Sequence, residues 1–528
     1  MLAYLQAMLH LPSRNLSPAP VECSPKIPYL LLPVPDTDFR EYLDQVKSLA
    51  NSFPEIITSI DSDLENHAKR KKALRLADQK FIDNQTPNHP GLAFAESEII
   101  PAELSLQAGR PRMQPLLVFI FIMLRGFLGS VTDKQTSRFI SESMSLHAFI
   151  HNLGIEKMPG SSTILDNVNA VTQSTRELIL DKQIELVVNE GLDDFKCLTI
   201  DSTHTAANSA WPTDSGVLVA LLGRAYRLGQ ALNPFGIHNF KPGWIPRWLD
   251  EMHKLDFQIA LTAGKAKSSG NRKKHYRGLL KRARKASNAL LVQFQDLSKT
   301  VRIELLPPSR RLLLQRMVAQ IESSIADAIR VIAYADDRVF HGKTLPSTEK
   351  VLSISDPDAA YIKKGNRNPV IGYKPQIVRS SNGFIAALRV PRGNTADCAE
   401  LTTSVSEAIC RTGIIPDMVS TDDGYASQQG RQALLDMGIT DISISGSKGK
   451  KLTSAEDWTS QKYLQARAQR SAVESLMFTI KDGYEFGELG RRGLEPVRDE
   501  LLEKVMAYNL CRIILIRKRH KEKQKIAA

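Results

Sequence analysis

Apolar positions repeat along this chain with two periods, and the changes of period divide it. From about residue 101 to 190 the pattern is helical. The longest apolar run, Leu116 to Leu124, is ended by Arg125. It is about half the length needed to cross a bilayer, so it predicts a buried helix over 114–128. "TDKQTSRFISESMSLHAFIHNLG" continues as one amphipathic helix or a pair. Ser161 or Ser162 is placed to cap a further helix before Ile164, Leu165 and Val168. Upstream, residues 1–100 are poorly defined, with scattered prolines and helical fragments such as Asp38 to Leu49.

At Phe195 the pattern becomes that of a strand: "FKCLTIDST" is a short apolar run ending in Asp201. From about 218 to 350 it is helical again, with Leu314, Met317, Ile321, Ile325, Ala328 and Ile332 forming a seam of about three heptads. Strands return at Pro369. "PVIGYKPQIV" and "GFIAALRV" read as a hairpin, and Asn382-Gly383 is the dipeptide of a tight turn in which both central residues take positive φ. A helix closed by Gly413, a strand ending at Asp422, a helix stopped by Gly438, a strand "ITDISIS", a loop "GSKGKK" and a last helix with "RSAVESLMFTIK" follow. Without the helical stretch at 218–350, this is an antiparallel hairpin followed by alternating β and α. It predicts an α/β domain with a mixed sheet, in the strand order of ribonuclease-H-like nucleases.

That order gathers three acids. Asp201 ends the first strand, Asp422 ends the fourth, and Glu474 lies on the helix after the fifth. Functional groups collect at the carboxyl edge of an open sheet, and here the first and fourth strands are expected to be neighbours. Carboxylates that close need cations between them. Oxygen ligands suit Mg²⁺ or Mn²⁺, and two such ions can clamp a scissile phosphate between nucleophile and leaving oxygen. Each acid also has a purely structural reading. Asp201 suits a turn or cap, Asp422 or Asp423 an Asp-Gly turn, and Glu474 an i,i+4 ion pair with Arg470 worth a few tenths of a kcal/mol. Arg470, Glu474 and Lys481 fall within about 60° on one helical stripe.

Charge adds a partner. The formal net charge is +13, and Lys265 to Lys285 hold ten Lys or Arg and no acid. "RKRHKEKQK", Arg517 to Lys525, opens a basic tail over 516–528. Each block is a solvated surface or a phosphate contact, and a lone block of like charge favours the latter. The five cysteines, Cys23 among them, form no CxxC pair and read as free buried thiols. No signal peptide or spanning segment is read, which suggests a cytoplasmic protein without a membrane partner. No phosphate-cradling GxGxxG or GxxxxGK[ST] supports a small-molecule enzyme.

Four stretches together resemble bacterial insertion-sequence transposases of the DDE class, which have a ribonuclease-H-like catalytic core. "TIDSTHTAANSAWPTDSGVL" is similar to the segment of the first aspartate, and "VSTDDGYAS" to that of the second. "RSAVESLMFTIK" fits Tyr-x2-Arg-x3-Glu-x6-Lys, and "RRGLEPVRDELLEKVMAYNLCRI" is similar to the closing helix with its Ala-Tyr-Asn-Leu. "GRPRMQPLLVFIFIMLRGFLG…STILDNV" resembles the family's helical leader.

The likeness covers roughly 105–515. It implies a catalytic domain at 191–515 with a helical basic insertion at about 218–350, and a DNA-binding or dimerisation domain at 101–190. It implies that Asp201, Asp422 and Glu474 bind two Mg²⁺ or Mn²⁺ ions, with Asp422 rather than Asp423 selected by the motif. Arg470 and Lys481 would hold DNA phosphates. Arg467 stands where the family has Tyr and would add a third cation. The implied activity is nicking at transposon terminal inverted repeats and transfer of the 3′-hydroxyl ends into target DNA, by a homodimer or synaptic multimer acting near the nucleoid. A repurposed nuclease and a catalytically decayed DNA-binding protein are the alternatives.

Overall fold

The computed structural model describes residues 39–85, 112–129, 133–155, 159–236, 238–295, 304, 306–363 and 368–527. The readings of the first 38 residues (Cys23 included), of 86–100 and of Gly109 to Pro111 lie outside these. Along the chain come α1 (Phe39–Ser52), α2 (Pro54–Gln85), α3 (Pro115–Leu128), α4 (Asp133–Glu142), α5 (Met144–His151), α6 (Ser161–Ala170) and α7 (Gln173–Asn189). Next are β1 (Cys197–Ser202), β2 (Thr205–Ala206), α8 (Asp214–Leu232), α9 (Ile245–Leu261), α10 (Ser269–Phe294) and α11 (Pro308–His341). Then follow β3 (Ala360–Ile362), β4 (Val370–Tyr373), β5 (Gln376–Ser380), β6 (Ile385–Arg389), α12 (Asp397–Thr412), β7 (Met418–Thr421), α13 (Gln428–Asp436) and β8 (Asp441–Ile444). Last are α14 (Ser447–Leu452), α15 (Ala455–Thr459), α16 (Gln461–Gly483) and α17 (Leu494–Ala527). No helix among the described residues is long and apolar enough to cross a membrane.

Contacts divide the chain into two units: residues up to Leu64 with Met113–Ala207 and Gly372–Ala528, and Glu65–Arg112 with Asn208–Ile371. The helices α3 to α7 thus share a unit with the main sheet, with no division near residue 190. The second unit is chiefly α8 to α11. Its core joins Leu222, Met252, Leu280, Ala283, Leu314, Ile321 and Ile325. The seam read on α11 is the stripe that is buried.

In the first unit the sheet order is β6-β5-β1-β7-β8, with β1 antiparallel to β5 and parallel to β7. Several local expectations change. "PVIGYKPQIV" is two strands, because Pro375 has no N–H to give a ladder. β4 pairs with β2, β5 pairs with β1, and the Pro375 carbonyl accepts Thr203 N at 3.0 Å. At the hairpin only Gly383 has positive φ, while Asn382 N donates to Asp193 Oδ2 at 2.8 Å. The N-cap of α6 is Gly160, without a side-chain bond, so neither Ser161 nor Ser162 caps it. "GSKGKK" is not a loop but largely the helix α14. The basic tail is also helix, the end of α17. Arg517 binds Glu190 at 2.5 Å, and Lys518 binds Glu41 at 2.6 Å. Of the described cysteines only Cys511 is buried, while Cys410 is exposed.

α17 organises this unit. Asn509 takes both backbone groups of Ile385 at 2.9 Å, and Tyr508 donates to the Gly383 carbonyl at 2.8 Å. These bonds occupy the open side of edge strand β6, so the Tyr-Asn of the closing motif serves packing. Glu503 of α17 is buried among Arg176 (2.9 Å), Arg125 (3.6 Å) and Arg491. Burial alone would raise its carboxyl, but the three guanidinium charges outweigh that and hold it down at about 2.

Glu503→Gln removes the carboxylate that three largely buried arginines share, leaving Arg176 only its 3.5 Å ion pair with Asp499. It should cost about 3–5 kcal/mol in denaturant unfolding. Because its pKa falls on folding, the contribution of Glu503 is fully present above the ordinary glutamate range. It should be lost as pH drops from that range toward about 2, and Glu503→Gln should flatten that part of the stability–pH curve.

Candidate active site at the carboxyl edge of the sheet

β1 and β7 lie side by side with Ile200 opposite Thr421. The next residue on each is an aspartate, so Asp201 and Asp422 leave strands about 4.8 Å apart. The row continues to Ser445, whose N–H donates to the Thr421 carbonyl at 3.0 Å. Side chains alternate along strands, so Asp201, Asp422 and Ser445 share the face of Thr199, Ser420 and Ser443. α16 covers that face. Tyr463 donates to the Ile444 carbonyl at 2.7 Å, and Arg470 Nη1 donates to Ser445 Oγ at 3.3 Å.

α16 runs alongside β8 and keeps pace with it. Lys462 meets Asp441 at the strand's start (3.5 Å), and Arg470 meets Ser445 at its end. Eight helical residues rise about 12 Å and four strand residues about 13 Å. Glu474 is one turn beyond Arg470, past the strand ends from which the aspartates emerge. Its exposed carboxylate forms an ion pair with Arg470 Nη2 at 3.6 Å, so one guanidinium links Glu474 to Ser445. The stem of Lys481 lies against Gly487, where a Cβ would meet its Cγ at 3.9 Å. Gly487 accepts Ala206 N at 2.8 Å, which places Lys481 along the chain that leaves Asp201. Arg467 has its guanidinium 5.4 Å over the Trp458 ring.

The two acids of "DDGY" divide their work. Asp422 Oδ1 accepts Gly424 N at 2.9 Å within its own turn, just past β7. Asp423 Oδ1 accepts Lys448 N at 2.8 Å and Gly449 N at 3.1 Å, binding the first turn of α14. Asp201 keeps one oxygen on Ser202 N at 2.7 Å and is buried. A further acid, Asp397, reaches the same edge from the opposite face of the sheet. A Cβ on Gly424 would meet Asp422 Oδ1 at 3.0 Å and Asp397 Oδ2 at 3.1 Å. In the sequence, the only signal of Asp397 is an acid in the first turn of a helix that follows the hairpin. Burial, and then the charges of Asp397, Asp201 and Asp422, push the Tyr425 phenol far up.

Among the described residues, no group of three His, Cys, Asp or Glu side chains is arranged to hold a metal ion. The donor chemistry nevertheless fits a divalent ion. Asp201 and Asp422 offer hard oxygens from adjacent strand ends. Glu474 is engaged by Arg470 and has to leave that ion pair to join them.

Residues 338–510 match the model of the family described as transposase DDE domain. The matched stretch includes Asp422, Arg467, Arg470, Glu474 and Lys481. Asp201 precedes it, on a strand that pairs with β5 and β7 of the matched stretch. No curated protein and no solved structure matches the chain. The match supports a DDE-type transposase.

Proposed function

We propose that this chain is a transposase that binds the terminal inverted repeats of a transposon, nicks the DNA and joins the 3′-hydroxyl ends to target DNA. The family match over the stretch bearing Asp422 and Glu474 carries this reading. It is supported by Asp201 at the neighbouring strand end. Asp201, Asp422 and Glu474 would hold two Mg²⁺ or Mn²⁺ ions, which when bound supply Lewis-acid stabilisation of the phosphodiester transition state and an activated water or 3′-hydroxyl. The β1–β7 register supports pairing the aspartates, and Glu474 would complete the set by releasing Arg470. The freed guanidinium, still anchored near Ser445, then serves a DNA phosphate. Lys481 holds another from the Asp201 side, and Arg467 adds a cation from its seat on Trp458. The reading includes a homodimer or larger synaptic assembly on double-stranded DNA, in the bacterial cytoplasm.

The fate of the basic blocks narrows the duplex contact. In α10, Arg282 pairs with Glu251, Arg284 with Asp336 (3.1 Å), and Arg277 and Lys285 sit over Phe340 and Trp248. Lys273, Lys274 and Lys281 of the same helix are exposed, and we assign them to DNA phosphates.

Asp422→Ala should abolish Mg²⁺-dependent cleavage of end-containing DNA while binding persists. Unchanged cleavage would sink the reading, and cleavage without joined product from pre-cut ends would favour a nuclease. Asp423→Ala should instead cost about 1 kcal/mol of stability by uncapping α14, with cleavage retained. Replacing Lys273, Lys274 and Lys281 together by Ala should weaken binding to all duplexes and reduce the slope of log K against log salt by about 3. An unchanged slope would remove α10 from the interface.

A further inference from the structure

Beneath the two aspartates, on the face of the sheet opposite α16, lies a chain of buried polar groups. Gln376 is opposite Ser202 in the β1–β5 ladder, so both side chains lie on the face away from Asp201. Gln376 Nε2 donates to Asp397 Oδ1 at 3.0 Å, and its Oε1 accepts the Tyr425 hydroxyl. Lys374 Nζ binds the same Asp397 oxygen at 2.9 Å and donates to the Thr395 carbonyl at 3.1 Å. Ser202 hydrogen-bonds both Asp397 and Tyr425. Gln376 and Tyr425 are fully buried, and the side chains of Lys374 and Asp397 are each only 12% exposed.

The two ends of this chain are the residues that follow the aspartates. Ser202 is next to Asp201, and Tyr425 closes the turn that Asp422 opens. A buried polar network with all its members bonded has one arrangement, and breaking any link leaves a desolvated group without its partner. Asp397 stays ionised inside it. Burial alone would raise its carboxyl, but the bonds from Gln376, Lys374 and Ser202 and the charge of Lys374 hold it below the usual carboxylate range. The acid therefore comes with its own counter-ion.

We propose that Asp397 is a positioning residue: through Gln376 and Tyr425, with Lys374 as counter-ion, it fixes the Asp422 turn against Asp201 and so sets the spacing at which the two aspartates receive metal. This rests on the metal-dependent reading of the site. Groups that orient ligating carboxylates act on affinity without touching the ion, so their loss should cost roughly 10-fold in metal binding.

The test measures Mn²⁺ binding to the full-length protein by electron paramagnetic resonance, with thermal unfolding and the Mg²⁺ dependence of cleavage alongside. Tyr425→Phe, which removes one hydroxyl, and Asp397→Asn, which keeps the shape, should each weaken Mn²⁺ binding roughly 10-fold. Both should raise the Mg²⁺ needed for half-maximal cleavage while the rate at saturating Mg²⁺ stays near wild type. Wild-type Mn²⁺ affinity in both variants, with only a lowered melting temperature, would overturn the proposal and leave the network a packing device. Asp422→Ala is the reference. If it abolishes Mn²⁺ binding while the two variants do not weaken it, this inference alone fails. If Asp422→Ala binds Mn²⁺ as wild type does, the metal-site reading fails and this inference with it.

Discussion

The buried carboxylate of Glu503 is the point to which the first unit is tied. Arg125 comes to it from α3, Arg176 from α7, and Arg491 from the segment before α17. Arg176 also donates to the Val168 carbonyl at 2.9 Å, so α6 is drawn in. The helices cross closely here. A Cβ on Gly126 of α3 would lie 1.9 Å from the Glu503 carbonyl, which only glycine permits. Such a cluster adds little over well-packed apolar residues, but it tolerates no partial loss, and so it specifies one arrangement.

The same region of α17 governs the chain that leaves α16. Lys504 donates to the Glu485 and Glu488 carbonyls at 3.0 and 2.9 Å, and Glu500 accepts Arg491 N at 2.8 Å. The segment so held bonds to Ala206 on both sides, through Gly487 and Leu489. Ala206 lies shortly after Asp201, and the held segment shortly after Lys481. A structural ion network on α17 thus sets how the segment after α16 meets β2. Glu485 has positive φ within this segment, a strained state that needs such surroundings to persist.

Charge is spent unevenly across the molecule. Part of the basic charge reinforces the fold: Arg517 and Lys518 fasten the end of α17 to Glu190 and Glu41, and Arg284, Arg277 and Lys285 of α10 are paired or stacked on rings. At the carboxyl edge the balance is reversed. Three aspartates stand near Tyr425, and Asp397 is bound by a largely buried cation, Lys374. Such local acid excess in a basic protein favours a divalent cation and then a polyanion.

Periodicity and turn chemistry were enough to read the strand at Phe195, the seam of α11, the helix stop at Gly413 and the succession of strands, because each is a local property of side-chain size and polarity. Ordering those strands brought Asp201 and Asp422 together, and the sheet has that order. The break at Pro375 and the turn conformation at Asn382 are not legible in the local pattern, because long-range partners decide them: Thr203 and Asp193. The sequence by itself determined which acids can end neighbouring strands. Only the tertiary structure decided that Asp423 caps α14, that Glu474 rests on Arg470, and that Asp397 stands under the site. Burial, and the partners a buried charge must find, depend on residues far apart in the chain.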